Sequence, residues 1–360
     1  MLTIFYTLAI LTTMKNKLSL ILTLTTPLLL LNCSAKKPES SPHIVKNPTP
    51  SSNTEPTQPS LGRPISVSSP TQSTLPVQRI PVQQTSKHGI STYTKKFKLT
   101  SKIKETSGLI KIDNKLWTLN DSGDKAKIYR INERNGQILK TLNITNAGNY
   151  DWEDIAYDDN YVYIGDFGNN RGNRRELKVY KIPRASLRTQ KSVRAEVINF
   201  KYNDQKDFSS KPHKNNYDCE AMVAHNDKLY LFSKNWENQK TRLYELSTNA
   251  GNQIARYKST FNIDGMVTGA SLNKELDILL LTTYSSLLNV NIWAFTNYRR
   301  GDFFSGNAKR LNFQSPLQAQ VEGVTFTGNY KAYFSSEAFR KYIFSFDASL
   351  YELDFSGEFE

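Results

Sequence analysis

Polar and apolar residues alternate along most of residues 92–360, and the alternating pattern returns in five similar segments. Each segment opens with a polar residue, a small residue and an apolar residue, and an apolar strand centre follows nine or ten residues after the small one. Such period-two alternation predicts β-strands. The opening triplets are Ser107-Gly108-Leu109, Glu153-Asp154-Ile155, Glu220-Ala221-Met222, Thr268-Gly269-Ala270 and Glu322-Gly323-Val324.

Two further strands are predicted in each segment. One has an aliphatic residue, an aromatic residue, any residue and an apolar residue, at 128–131, 179–182, 243–246, 292–295 and 343–346. The other alternates before the next triplet, at 138–144, 197–202, 253–261 and 309–313. Four strands in each repeat of about 54 residues predict an all-β fold, a β-propeller with five four-stranded blades, or six if the termini add a degenerate blade.

A propeller has to close its ring, because an open one would leave unpaired strand edges. The segment 97–103 precedes the first triplet, so we expect it to complete the fifth blade as its outermost strand, paired with the strand around Phe344. The segment 350–355 is the competing candidate. No part of 92–360 has the pattern of an amphipathic helix.

The first 32 residues have the pattern of a signal peptide. A basic segment follows Met14, which is a second candidate for the start, and an apolar run covers 18–31. That run is short for a membrane span, which needs about 20 apolar residues. The sequence Leu30-Leu31-Asn32-Cys33 resembles the lipobox of bacterial lipoproteins, although Asn32 replaces the usual small residue. A cysteine placed there by chance is the alternative interpretation.

The resemblance implies an acylated Cys33 in the lipid bilayer, and Ser34 implies sorting to the outer membrane of the cell envelope. Residues 33–91 contain ten of the 14 prolines and scarcely any aromatic residue, so they predict a disordered stalk before a folded part at 92–360. If Cys33 is acylated, Cys219 has no partner and is expected to be a buried thiol.

The net charge of +14 belongs mainly to the N-terminal part. Residues 1–104 hold 13 Lys and Arg against two Glu, whereas residues 105–360 hold 34 basic against 31 acidic residues. A nearly neutral folded part argues against nucleic acid as a partner.

In a propeller the loops that enter the innermost strands and the loops between second and third strands open on one face. Oxygen ligands that meet there suit a hard cation, so Ca²⁺ is a possible cofactor. The alternative is that each acidic residue only accepts backbone hydrogen bonds in its turn. The candidate metal ligands are Glu153, Glu220, Glu322, Asn120 and Asp166. The further candidates for a ligand-binding face are Asp121, Asp151, Asn169, Asn170, Arg171, Asp218, Trp236, Glu337 and Arg340.

No nucleophilic triad motif, Cys/His metal motif or phosphate-binding glycine loop is found, so catalytic residues are not identified. We therefore expect a binding module for a protein, peptide or glycan rather than an enzyme. A calcium-dependent hydrolase, acting on lactones or phosphate esters, is the alternative.

Two motifs carry a resemblance to known proteins: Trp117-Thr118-Leu119-Asn120-Asp121-Ser122-Gly123, and Asp151 to Ala156 followed by Tyr163 to Asn169. With the repeats, they resemble the SdiA-regulated and NHL-type propellers of bacteria, and more distantly the gluconolactonase and phytase-like propellers. The resemblance implies the fold and no particular activity.

The lipid anchor can be tested by the substitution Cys33→Ala. Without an acylated residue the chain should move from the membrane fraction to the soluble fraction, because the acyl chains supply the stable attachment. Fractionation and immunoblotting measure this, and unchanged partition would contradict the anchor.

Overall fold

The computed structural model describes residues 89–341 and 344–359, so the predicted signal peptide, Cys33 and nearly all of the predicted stalk lie outside the described residues. The described part is almost entirely β-structure. Its first strand is β1 (Thr92–Lys98), and a short 3-10 turn follows at Ser101–Ile103. No helix in the described residues is long and apolar enough to cross a membrane.

The next strands form antiparallel blades in chain order. Blade one contains β2 (Thr106–Ile112), β3 (Lys115–Asn120), β4 (Lys127–Ile131) and β5 (Ile138–Ile144). Blade two contains β6 (Trp152–Tyr157), β7 (Tyr161–Asp166), β8 (Leu177–Pro183) and β10 (Glu196–Tyr202). Helix α1 (Ser186–Thr189) and the short strand β9 (Ser192–Val193) lie between β8 and β10 in the chain. Blade three contains β11 (Asp218–His225), β12 (Lys228–Lys234), β13 (Thr241–Ser247) and β14 (Gly251–Phe261).

Blade four contains β15 (Met266–Asn273), β16 (Ile278–Tyr284), β17 (Val290–Thr296) and β18 (Asn307–Arg310). The C-terminal part contains β19 (Val321–Gly328), β20 (Lys331–Ser336), a separate hairpin of β21 (Phe339–Lys341) and β22 (Phe344–Phe346), and β23 (Ser349–Asp354). Blade five has the strand order β19, β20, β23 and β1, so the first strand of the folded part completes the last blade.

The closure of blade five differs from the sequence prediction. The outermost strand covers 92–98 rather than 97–103, and it pairs with β23 rather than with the strand around Phe344. The competing segment around 350–355 is the third strand, not the outermost one. The physical reason is burial: β23 pairs along its whole length with β20 and buries Leu350 and Leu353 completely.

The carboxylate of Glu358 holds the beginning of the closing strand in place. It accepts hydrogen bonds from Ser91 Oγ at 3.1 Å and from the backbone N–H of Asn312 at 2.6 Å. The ammonium group of Lys309 lies 2.9 Å from the same carboxylate. Ring closure is therefore fixed by charged hydrogen bonds as well as by strand pairing.

The hydrophobic core is divided among the interfaces between neighbouring blades. Trp117 of blade one and Trp152 of blade two, for example, are both fully buried in one cluster. Equivalent clusters lie between blades two and three, three and four, four and five, and five and one. The described residues therefore form a closed β-propeller, as the repeats predict.

The five innermost strands β2, β6, β11, β15 and β19 pack side by side around the axis, with β19 next to β2. A β-carbon on Gly269 would lie 2.1 Å from the backbone oxygen of Glu322, and one on Gly323 would lie 2.4 Å from that of Ser107. Backbone contact thus explains the glycine in the middle of these two triplets. In blade two the middle residue is Asp154, whose carboxylate accepts from Met222 N–H of blade three at 2.7 Å.

The substitution Gly269→Ala should lower the free energy of unfolding by about 3 kcal/mol, since the added methyl group overlaps the neighbouring backbone. Urea unfolding followed by tryptophan fluorescence measures the loss. Gly328→Ala is the matched control, because its new methyl group meets nothing closer than 3.9 Å. Equal losses in the two variants would contradict the role of the contact.

Candidate functional site at the entry end of the axis

The first residue of every triplet lies at an irregularity in its innermost strand. The pairing with the second strand shifts by one residue there in all five blades. Such β-bulges redirect a side chain locally. The residues concerned, all buried, are Ser107, Glu153, Glu220, Thr268 and Glu322.

The two hydroxyl groups and the three carboxylates in this set have different roles. Thr268 Oγ1 donates to the backbone oxygen of Val321 in the next blade at 2.5 Å, and Ser107 donates in the same way to Glu153. The three glutamates are instead buried carboxyl groups: burial raises the pKa of Glu153 and of Glu220, and the charges of Glu220 and Glu322 respectively add to this effect. We call the end of the axis where the innermost strands begin the entry end.

Three carboxylates form the densest group at the entry end. One oxygen each from Asp121, Asp151 and Glu153 lies within 4.8 Å of the other two. Asp121 follows β3, Asp151 precedes β6, and Glu153 occupies the bulge of β6. The amide of Asn149 connects their loops by donating to the backbone oxygen of Asp121 at 2.8 Å.

Gly168 closes one side of this group. A β-carbon at this position would lie 2.0 Å from Glu153 Oε1 and 2.5 Å from Asp151 Oδ2. The backbone N–H of Gly168 donates to the backbone oxygen of Asp151 at 3.2 Å. Only glycine leaves room for the two carboxylates in these positions. The glycine of the segment 166–170 therefore has a steric role at the site.

Lys234, at the end of β12, is the buried cation of the entry end. Its ammonium group lies 2.9 Å from Glu220 Oε2, and both side chains are about 5% exposed. The rings of Trp236 and Tyr284 lie 4.8 and 5.2 Å from the same nitrogen. Burial alone would lower the pKa of Lys234, but attraction to Glu220 and other anionic groups outweighs it and raises the pKa.

The carboxyl groups have raised pKa values because burial removes water from their charged forms. Burial and neighbouring anions raise the pKa of Asp151 to about 7, while burial raises the pKa of Asp121 to about 6 and that of Glu322 to about 7. The same causes raise the pKa of Glu153 and of Glu337 well above the usual range. The site thus contains more carboxyl groups than its own cations can keep ionised, so some of these groups hold a proton near neutral pH unless another cation is bound.

Asp218 and Asp166 have structural partners. Asp218 accepts from the backbone N–H of Asn169 at 2.5 Å and from Trp236 Nε1 at 2.7 Å. Asp166 lies 2.8 Å from the guanidinium of Arg174, which also donates to the Gly168 backbone oxygen. These contacts fix the loops that surround the carboxylates.

The remaining predicted residues are distributed around and beyond the site. The Asn120 amide donates to the Lys102 backbone oxygen at 2.8 Å and to Asp124 at 2.9 Å, so it anchors a loop. Asn169 is buried, Asn170 is half-buried and Arg171 is exposed. Arg340 lies exposed on the β21–β22 hairpin, 3.7 Å from Asp347.

Sequence reasoning missed Lys234 and Tyr284 as members of the site. Lys234 ends a strand with an apolar centre, and Tyr284 ends the corresponding strand of blade four. A lysine at the end of a buried strand was an available signal, but its partner could not be inferred without the fold.

The opposite end of the axis has different chemistry. A cavity of about 340 Å³ is lined there by Leu109, Ile155, Met222 and Ala270, the third residues of four triplets. In four of the five triplets the apolar residue therefore lies at the end of the axis opposite to the entry end.

Comparison with known proteins gives similarity of fold only. No protein-family model matches the chain, and no curated protein matches it. An exo-β-1,3-galactanase from Phanerochaete chrysosporium with β-1,3-galactotriose is 13% identical over 54% of this chain and 46% of that chain, with a TM-score of 0.36. The structure of the same enzyme with galactose is 13% identical over 54% of this chain and 45% of that chain, with a TM-score of 0.37.

A mitotic checkpoint complex structure is 11% identical over 67% of this chain and 62% of that chain, with a TM-score of 0.31. The chain thus spans less than half of the galactanase. These likenesses carry no information about activity.

The substitution Lys234→Met should destabilise the protein by about 3–5 kcal/mol, because it leaves Glu220 buried without its partner. Lys258→Met, which breaks an exposed pair with Glu245, should cost less than about 1 kcal/mol. Urea unfolding measures both. The double variant Lys234→Met with Glu220→Gln should recover part of the loss, and no recovery would show that the pair is not the cause.

Proposed function

We propose that this protein is an envelope-anchored binding module that recognises a glycan at the entry end of its propeller axis. One observation carries the proposal: buried carboxyl groups and aromatic rings lie together at one end of the axis. Sugar hydroxyls donate hydrogen bonds to carboxylates, and the apolar faces of sugar rings pack against aromatic side chains. Binding sites commonly combine apolar surface with a few fixed polar groups in this way.

The aromatic groups at this end support the proposal. Tyr150 immediately precedes Asp151 and is 69% exposed. The half-buried Trp236 ring contacts the His213 ring, with centroids 4.4 Å apart, and donates its N–H to Asp218. Rings that are fixed by hydrogen bonds provide a contact surface at low cost in conformational entropy.

A protein or peptide partner is less well supported by the surface composition. The large exposed apolar side chains of the described part are dispersed over different elements, including Leu139 on β5, Ile254 on β14 and Leu287 after β16. Protein interfaces are instead centred on contiguous desolvated cores.

The proposed attachment to the outer membrane rests on sequence alone. An acylated Cys33 followed by a Pro-rich stalk would hold the propeller away from the bilayer, within reach of envelope polysaccharides. The resemblance to SdiA-regulated and NHL-type propellers is likewise a prediction from the two motifs.

A metal-assisted hydrolase is the second candidate, favoured by the close grouping of Asp121, Asp151 and Glu153 oxygens. A metal ion held there would polarise a substrate carbonyl or phosphoryl oxygen. Assays of lactone and phosphate-ester hydrolysis, with calcium and with EDTA, test this candidate. Turnover that depends on Glu153 would favour it over simple binding.

Glycan binding can be tested with the full-length protein on a panel of bacterial envelope oligosaccharides, followed by calorimetric titration of the best ligand. Tyr150→Ala should weaken binding by about tenfold, since loss of one aromatic contact costs about 1 kcal/mol or slightly more. Tyr257→Ala, an exposed tyrosine on the outermost strand β14, is the matched control and should leave the affinity unchanged. Absence of any glycan ligand, or equal effects of the two substitutions, would refute the proposed site.

A further inference from the structure

The acidic groups of the entry end fall into two parts that differ in charge balance. In one part, Lys234 lies 2.9 Å from Glu220, and the attraction of Glu322 and Asp218 also acts on its ammonium group. This part contains its own buried cation. We call the other part, formed by Asp121, Asp151 and Glu153, the carboxylate triad.

The carboxylate triad has no such cation. Within residues 89–341 and 344–359, no Lys, Arg or His nitrogen lies within 4.0 Å of an oxygen of these three side chains. The charge of Arg174 acts on Asp151 and that of Lys234 acts on Asp121, but these cations pair with other carboxylates, Asp166 at 2.8 Å and Glu220 at 2.9 Å. Three carboxylates with oxygens within 4.8 Å of one another therefore face each other without a counter-charge.

Two buried glutamates of the entry end, one of them a member of the triad, also have acceptor oxygens that receive no hydrogen bond from any residue that the structure describes. Glu153 is 4% exposed, and the described part of the chain supplies no hydrogen-bond donor to its carboxylate. Glu322 is 5% exposed, and its Oε2 has no hydrogen-bond partner among the described residues. Burial raises the pKa of Glu322, and the charge of Asp121 adds to this effect. Buried acceptors without partners are costly unless a ligand satisfies them.

We propose that Asp121, Asp151 and Glu153 bind one calcium ion at the entry end of the axis. The proposal deepens the glycan-binding function and rests on it for its biological role, since a calcium ion would neutralise the triad and offer remaining coordination positions to sugar hydroxyls. The three glutamates of the bulged positions are then not a single metal site, because Lys234 already neutralises the part around Glu220.

The geometry suits calcium. Calcium binds oxygen ligands at about 2.3–2.6 Å, so two oxygens on opposite sides of one ion lie about 4.6–5.2 Å apart, and adjacent ones lie closer. The separations within the triad, at most 4.8 Å, fit this range. The three residues come from two blades and from irregular backbone, and calcium tolerates irregular coordination better than magnesium does. The triad contains no nitrogen or sulfur ligand of the kind that zinc prefers.

The experiment uses the full-length protein, depleted of metal with EDTA and then dialysed. Calcium binding is measured by equilibrium dialysis with radioactive calcium, and thermal unfolding is measured in CaCl₂, MgCl₂ and EDTA. The wild-type protein should bind one calcium ion per chain, and CaCl₂ should raise its unfolding temperature more than MgCl₂ does.

The variants Asp121→Asn and Glu153→Gln should each lose at least about tenfold in calcium affinity, because each removes a charged ligand. Both should be at least as stable as the wild type in EDTA, because each also removes repulsion between buried carboxylates. Loss of the calcium effect without loss of metal-free stability distinguishes a ligand from a residue that only supports the fold. Glu176→Gln, a 60% exposed carboxylate of the same blade, is the control and should bind calcium normally.

The proposal is overturned if the wild type neither binds calcium nor unfolds at a higher temperature in CaCl₂, or if Asp121→Asn and Glu153→Gln both bind as the wild type does. Stronger stabilisation by magnesium overturns the assignment to calcium. Glycan titration in EDTA and in CaCl₂ separates this result from the proposed function. Glycan binding without calcium binding defeats the metal site alone, and calcium binding without any glycan ligand defeats the glycan proposal alone.

Discussion

The close packing of five innermost strands around one axis is the constraint on which the rest of the structure depends. The strands approach so closely that a β-carbon on Gly269 or Gly323 would overlap the backbone of the next blade. The bulge beside this contact interrupts the pairing at the same position in every blade and turns the preceding polar side chain inward. Core packing and site chemistry are thus consequences of the same triplet.

The charge at the entry end follows from that arrangement. Bulged strands bring Glu153, Glu220 and Glu322 into a region with little water, and loop residues add Asp121 and Asp151. Burial raises their pKa values because the charged forms lose hydration, and like charges increase the effect. Such a cluster is costly to maintain for stability alone, which supports a role in binding.

The strand pattern was predictable because each blade buries both faces of its sheet against its neighbours, so apolar spacing and turns reappear in every repeat. The exception is blade five. The segment at 343–346 has the expected aliphatic and aromatic pattern, but its described strand β22 pairs with β21, while β23 and β1 complete the blade. Two segments of similar composition compete for the place beside β20, and β23 takes it because it pairs along the full length of β20. The local sequence pattern does not distinguish between such segments.

The sequence by itself determined the all-β architecture, the repeat and the polar residues that open each blade, because these depend on periodicity and on local sterics. Only the tertiary structure decided how the charges are shared. Lys234 pairs with Glu220 rather than with the other glutamates, and Asp121 joins Asp151 and Glu153 across the boundary between blades one and two. Electrostatic partners are set by distances across the axis, and spacing along the chain does not encode those distances.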